Sequence, residues 1–321
     1  MTFSPAISRK IRRSLGAALL LAAAACAHAR DVHFAFATKA QARTILAQQD
    51  DYVRETAPLE RSVVLRTHEA LDSADFARRM GETALDWSDE ETRALAPTLD
   101  RLARFIAPMK WKAPQPIVVV KASDELMSGF PHTRAHAIVL TEGMLADAIK
   151  QEALRDYLLA HEAFHVLSRA DPALREELYG AIGFRRCETV ELPAALARLR
   201  LTNPDAPDSR HAIALRRGGE PAEVLPFVHF ASDKVDPRAG FAGQVRTSWL
   251  PVERVGNGCK ARDERLSLAE LEGLAEQAGS NTRYVIHPEE ILADNFALLF
   301  RKPAKIASPQ VLERIRRILL P

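Results

Sequence analysis

Tyr157-Leu-Leu-Ala-His161-Glu162-Ala-Phe-His165-Val-Leu-Ser168 carries the pattern HExxH inside a run that reads as helix. Residues four apart on a helix lie one turn above each other, so His161 and His165 can turn both imidazoles toward one metal ion. Glu162 then stands beside that ion. Zinc lowers the pKa of a water it holds from about 15.7 to about 7, and a neighbouring carboxylate can take the proton. The competing reading is an exposed helix with a His/Glu/His stripe. Its flanks, Leu154, Tyr157, Leu158, Leu159, Ala160, Phe164, Val166 and Leu167, are too apolar on nearly every side for that. A helix buried all round would leave the three polar groups unpaired, at about 1 to 3 kcal/mol each, unless something binds them.

Zinc needs a third protein ligand and an open fourth position. A histidine six residues past His165 would define one subclass, but that position is Asp171 and the glycine expected between is also missing. Downstream, Tyr284-Val-Ile-His287-Pro288-Glu289-Glu290-Ile-Leu-Ala-Asp294-Asn-Phe reads as a second helix with Pro288 at its first position. Glu290 and Asp294 are one turn apart on a shared face. Glu290 can bind the ion while Asp294 accepts the other ring N–H of His161. The helix dipole alone would favour Glu289 and Glu290 near the N-terminus. It does not explain Asp294 amid Ile291, Leu292, Phe296, Leu298 and Leu299.

HEAFH followed by a helix with Glu-x-x-x-Asp resembles the gluzincin metallopeptidases such as thermolysin, and Pro288-Glu-Glu-Ile-Leu-Ala-Asp-Asn-Phe-Ala-Leu-Leu299 resembles the matching helix of the anthrax lethal factor group. The chain is also similar over its mature length to exported bacterial proteins classed as zinc metallopeptidases. The resemblance implies one zinc ion on His161, His165 and Glu290, Glu162 as general base, and Asp294 as the carboxylate behind His161. It also implies an oxyanion donor near the second helix. Tyr284 is the first choice, because the lethal factor group places a tyrosine nearby at a different offset, and His287 is the second. One departure is the spacing: 125 residues separate His165 from Glu290, far more than in thermolysin.

Around these helices the chain organises as follows. Arg9, Lys10, Arg12 and Arg13, the apolar run Leu15 to Ala25 and Ala27-His-Ala29 read as a signal peptide over residues 1–29. The run is too short to span a membrane. A lipid-anchored Cys26 is the alternative, with Ala23 where leucine is preferred. Without the leader's four basic residues, 40 basic face 42 acidic ones, and nothing points to nucleic acid. In an exported chain the two remaining cysteines, Cys187 and Cys259, read as one disulfide.

Residues 30–110 read as a helical lobe: Ala40 to Gln49, Asp50 to Glu55, Pro58 to Glu69, Ser73 to Leu85 and Ser88 to Ile106, the last opening on the capping-box spacing Ser88-x-x-Glu91. A removable pro-segment is the other reading. Strands follow at Ile117 to Lys121 and Ala135 to Thr141, with His136 to Thr141 the candidate edge for an extended peptide. Residues 180–262, dense in proline and glycine, read as an inserted subdomain of short strands and loops stapled by the disulfide. A helix is expected from Ser267 to Ala278, stopped by Gly279.

The expectation is an α+β, zincin-like single domain over residues 30–321. It has a helical N-terminal lobe, a small mixed sheet, an active-site helix, a second ligand helix and an irregular β-rich insertion. The function expected is an exported, periplasmic or secreted, zinc-dependent metallopeptidase acting on a peptide or protein substrate. The rival is a noncatalytic zinc-binding module for a protein partner. Glu162, which zinc binding alone does not need, favours the enzyme.

Overall fold

Helical periodicity gives way to β-branched residues after Pro114, and there the chain builds the sheet that carries the HExxH helix. The structure is a computed structural model describing residues 32–112 and 114–321, so the signal peptide, its cleavage after Ala29 and the Cys26 alternative lie outside the described residues. Strand β1 (Phe34–Phe36) leads into helices α1 (Lys39–Leu46), α2 (Asp51–Glu55), α3 (Pro58–Val64) and α4 (Ser73–Glu82), strand β2 (Ala84–Leu85) and helix α5 (Asp89–Ile106). Strands β3 (Ile117–Ala122), β4 (His132–Arg134) and β5 (Ala137–Thr141) precede helices α6 (Glu142–Lys150), α7 (Glu152–Ala170) and α8 (Pro172–Ala181). Next come β6 (Phe184–Arg186), β7 (Val190–Glu191), α9 (Ala194–Ala197), β8 (His211–Arg217), β9 (Glu220–Phe230), β10 (Val245–Val255) and β11 (Gly258–Ala261). Helices α10 (Leu274–Ala278), α11 (Pro288–Arg301) and α12 (Pro309–Leu319) complete the α+β architecture.

The first sheet runs β1-β3-β5-β4, with β2 joining β3 on the β1 side. Strands β1, β3 and β5 are parallel and β4 is antiparallel to β5. The candidate edge therefore moves. Residues 137–141 are internal, and the edge is β4, which lies before the strand expected from Ala135; the chain reverses at Ala135 and His136, expected inside that strand, to pair the two. Leu85, expected at a helix end, lies in β2 instead, and α4 stops at Glu82.

Helix α7 is buried from Leu158 through Ser168, and α11 from Pro288 through Ala297. Phe164 packs on Phe296 and Trp111, with ring centroids 5.6 and 5.9 Å apart. Each such side chain contributes about 1.5 to 3 kcal/mol of burial, which helps hold the two helices face to face. Asp171 ends α7 and caps α8 by accepting from Leu174 N–H, with Pro172 at the first helical position. The Ser88/Glu91 capping box forms as expected, and Glu91 also pairs with Lys121 at 2.7 Å.

Strands β6, β8, β9, β10, β11 and β7 form a second, six-stranded sheet with its own apolar cluster around Leu225, Phe227 and Leu250. Cys187 and Cys259 lie within that cluster at disulfide distance, their Cα atoms 5.6 Å apart. Strands β6, β7 and β11 are short as expected, whereas β9 and β10 run for 11 residues each. Pro226 and Pro251 do not interrupt them. Pro226 faces Trp249, whose N–H and C=O are exchanged with Leu266, so that pair needs no ladder donor from proline. The helix expected over Ser267 to Ala278 divides into a short turn at Leu268–Glu270 and α10, because Gly273 sits at φ 101° between them.

Candidate metal centre

The facing of α7 and α11 brings three ring or carboxylate atoms to one point. His161 Nε2 and His165 Nε2 lie 3.1 and 3.7 Å from the same Glu290 oxygen, Oε2. Ligand atoms on a tetrahedron with bonds of about 2.0 to 2.1 Å stand roughly 3.3 Å apart, so the spacing fits a zinc-sized ion. His165 Nε2 is buried and has no hydrogen-bond partner. So is Glu162 Oε2, one residue along the helix from His161.

Each histidine is held through its other nitrogen. Asp294 Oδ1 accepts from His161 Nδ1 at 2.9 Å and from the Tyr157 hydroxyl at 2.5 Å, and Thr282 Oγ1 donates to the other oxygen. Glu289 Oε1 accepts from His165 Nδ1 at 3.0 Å, while Ser168 Oγ and the Tyr179 hydroxyl donate to Oε2. With Nδ1–H held by a carboxylate, each imidazole presents a lone pair on Nε2, which is the tautomer a metal requires.

The electrostatics follow from crowding. Burial, and then Asp205, push the Glu162 carboxyl up to about 8. Burial works to lower the His165 pKa, but Asp205, Glu290 and Glu289 raise it to about 9. For His161 burial is likewise outweighed by Asp294 and Glu290, which raise it well above its ordinary value. Burial would raise Asp294, yet hydrogen bonds from His161, Thr282 and Tyr157 hold it below the usual range. His161, His165 and Glu290 form a donor set of two nitrogens and one carboxylate oxygen that could hold a divalent cation.

The two oxyanion candidates part company. Tyr284 is half exposed, but its phenol pKa is raised, first by burial around the oxygen and then by Glu290, Asp205 and Glu162. His287 instead caps α11: its Nδ1 accepts from Glu289 N–H, and its ring faces Tyr179 and His211 at 6.0 and 6.2 Å. Burial, with His211 beside it, pushes His287 down to about 3. It belongs with Asp208 and His211, away from the three converging ligand atoms. That trio does not make a second metal centre, because a neutral His287 accepting at Nδ1 carries its proton on Nε2, and Asp208 already pairs with Arg186 at 3.1 Å.

Sequence reasoning missed several members. Tyr157 lies one turn before His161 on the same face, a signal that was available. The helix dipole accounts for Glu289 in the sequence, whereas the structure pairs it with His165 Nδ1. Asn203 and Asp205 had no signal. Asn203 Nδ2 donates to Glu290 Oε1 at 2.6 Å, and an Asp205 oxygen lies within 4.8 Å of both a Glu162 oxygen and a His165 nitrogen. No helix among the described residues is long and apolar enough to cross a membrane. No protein-family model matches the chain, and neither a curated protein nor a solved structure is significantly similar to it.

Proposed function

We propose that this protein is a zinc-dependent peptidase with a zincin-like catalytic core, exported through its N-terminal leader. The observation that carries the reading is the convergence of His161 Nε2, His165 Nε2 and Glu290 Oε2, each histidine backed by its own carboxylate, beside the unpartnered Glu162 oxygen. A zinc ion held by His161, His165 and Glu290 would supply Lewis acidity, polarising a substrate carbonyl and lowering the pKa of a water toward about 7. Glu162 takes the proton from the attacking water and returns it to the leaving amine, a task suited to a carboxyl poised near neutrality. Asp294 and Glu289 fix the two rings. The Tyr284 phenol, held protonated, donates to the developing oxyanion. The Cys187–Cys259 pair at disulfide distance supports an oxidising compartment, periplasmic or extracellular.

A noncatalytic zinc-binding module is the second reading, favoured by the cover that Asn203 and Asp205 place over the site. Mass-spectrometric cleavage profiling on a peptide library, with and without chelator, separates the two. Chelator-sensitive cleavage by wild type, reduced roughly 10²- to 10⁴-fold in Glu162→Gln, supports the peptidase. Equal inactivity of both proteins while both hold zinc and remain folded supports the module.

A further inference from the structure

Glu290 presents its two carboxylate oxygens to different neighbours. Oε2 lies 3.1 Å from His161 Nε2 and 3.7 Å from His165 Nε2, where the ligand atoms converge. Oε1 is taken by Asn203, whose Nδ2 donates to it at 2.6 Å. The orientation of that amide is fixed by its other end. Asp205 N–H donates to Asn203 Oδ1 at 2.9 Å, which leaves the NH2 group for the carboxylate.

Asn203, between α9 and β8, is anchored from both sides. Before it, Thr202 N–H and Oγ1 donate to the buried Glu60 carboxyl of α3 at 2.9 and 3.0 Å. After it, Asp205 Oδ1 accepts from Thr133 N–H and Thr133 Oγ1 of β4, both at 2.6 Å. Arg169 of α7 donates to the carbonyls of Pro204 and Asp205 at 2.9 and 3.2 Å. The helical lobe, the first sheet and the HExxH helix therefore hold this one donor in place against Glu290.

The binding mode of a carboxylate decides how many positions around an ion it fills. With both oxygens on the ion, Glu290 and two imidazoles would complete a tetrahedral set; with one oxygen on it, the fourth position stays open. A hydrogen bond donated to Oε1 competes with the ion for that oxygen and leaves Oε2 as the ligand atom. We propose that Asn203 is a positioning residue that keeps Glu290 a one-oxygen ligand, so that the inserted segment 180–262 completes the metal centre rather than only covering it. This rests on the zinc site of the proposed function and adds what sets its coordination number.

The test loads wild type, Asn203→Ala, Asn203→Leu and Thr202→Val with cobalt(II), measures metal per chain and records the visible spectrum, in which four-coordinate cobalt absorbs more strongly than five-coordinate. Both Asn203 variants remove the donor. Leucine keeps the volume and alanine is the milder change, so either serves if the other fails to fold by circular dichroism. Thr202→Val loosens the same segment from Glu60 and leaves the amide in place. The expected result is one cobalt per chain in all four proteins, with the visible band weakened in both Asn203 variants and unchanged in Thr202→Val. A folded Asn203 variant with the wild-type spectrum overturns the proposal and leaves the three-ligand site standing. So does a Thr202→Val protein that changes as much as the Asn203 variants, which would assign the effect to the anchoring of the segment. A folded Asn203 variant that holds no cobalt also overturns it, because the amide would then be a condition of binding rather than of its mode. A folded wild type that takes up no cobalt removes the zinc reading itself, and the proposal with it.

Discussion

Glu289 Oε1 stands 3.0 Å from His165 Nδ1, and both side chains are buried. The second histidine of the motif therefore has its own carboxylate, as His161 has Asp294, and both come from one helix. Helix α11 supplies Glu289, Glu290 and Asp294 within its first two turns, so a single packing contact between α7 and α11 sets the ligands and their supports together.

Replacing either supporting carboxylate by its amide keeps the volume and weakens the hold on one ring. Glu289→Gln and Asp294→Asn are each expected to lower zinc affinity by about 10- to 100-fold. Competition with a chromophoric chelator measures it. Affinities equal to wild type would show that packing alone orients the rings.

The disulfide is tested by chemistry. Cys187 and Cys259 should resist alkylation in the native protein and react after reduction in denaturant. Replacing both by serine should cost roughly 4 kcal/mol in the chain-entropy account of a loop closed over 72 residues.

A pH effect away from the metal is expected from Glu60, which burial pushes from 4.5 up to about 8 against hydrogen bonds from Thr202. Its folded pKa is raised, so between pH 4.5 and 8 the folded chain holds a proton that the unfolded chain releases. Stability from this group is therefore full below about 4.5 and falls as pH rises to about 8, by an amount on the order of a few kcal/mol. The melting-temperature difference between wild type and Glu60→Gln, followed across that range, should decline with rising pH. A flat difference would mean that Glu60 is ionised when folded.

Much of the site was legible because its signals are local. His161, Glu162 and His165 lie within one helical turn, and Glu290 and Asp294 within another, so spacing alone proposes them. The structure brings the two helices together, with Asp294 accepting from His161 Nδ1 at 2.9 Å. What escaped depends on long-range register. The β4–β5 hairpin turns at Ala135 and His136, where neither residue is a strong turn signal, and this moved the edge strand. Strands β9 and β10 are longer than the proline and glycine density of that segment suggests, in part because Pro226 sits opposite Trp249, whose N–H and C=O bond Leu266 instead. Asn203 and Asp205 reach the centre only because the whole segment folds back on Glu60 and Thr133, a contact no local pattern announces.

Metal content after exhaustive dialysis tests the three-ligand centre. Wild type and Glu162→Gln should each retain one zinc per chain, because Glu162 stands beside the ion without ligating it. His165→Ala and Glu290→Ala should lose it while remaining folded by circular dichroism. A folded His165→Ala protein that keeps full zinc stoichiometry would contradict the account.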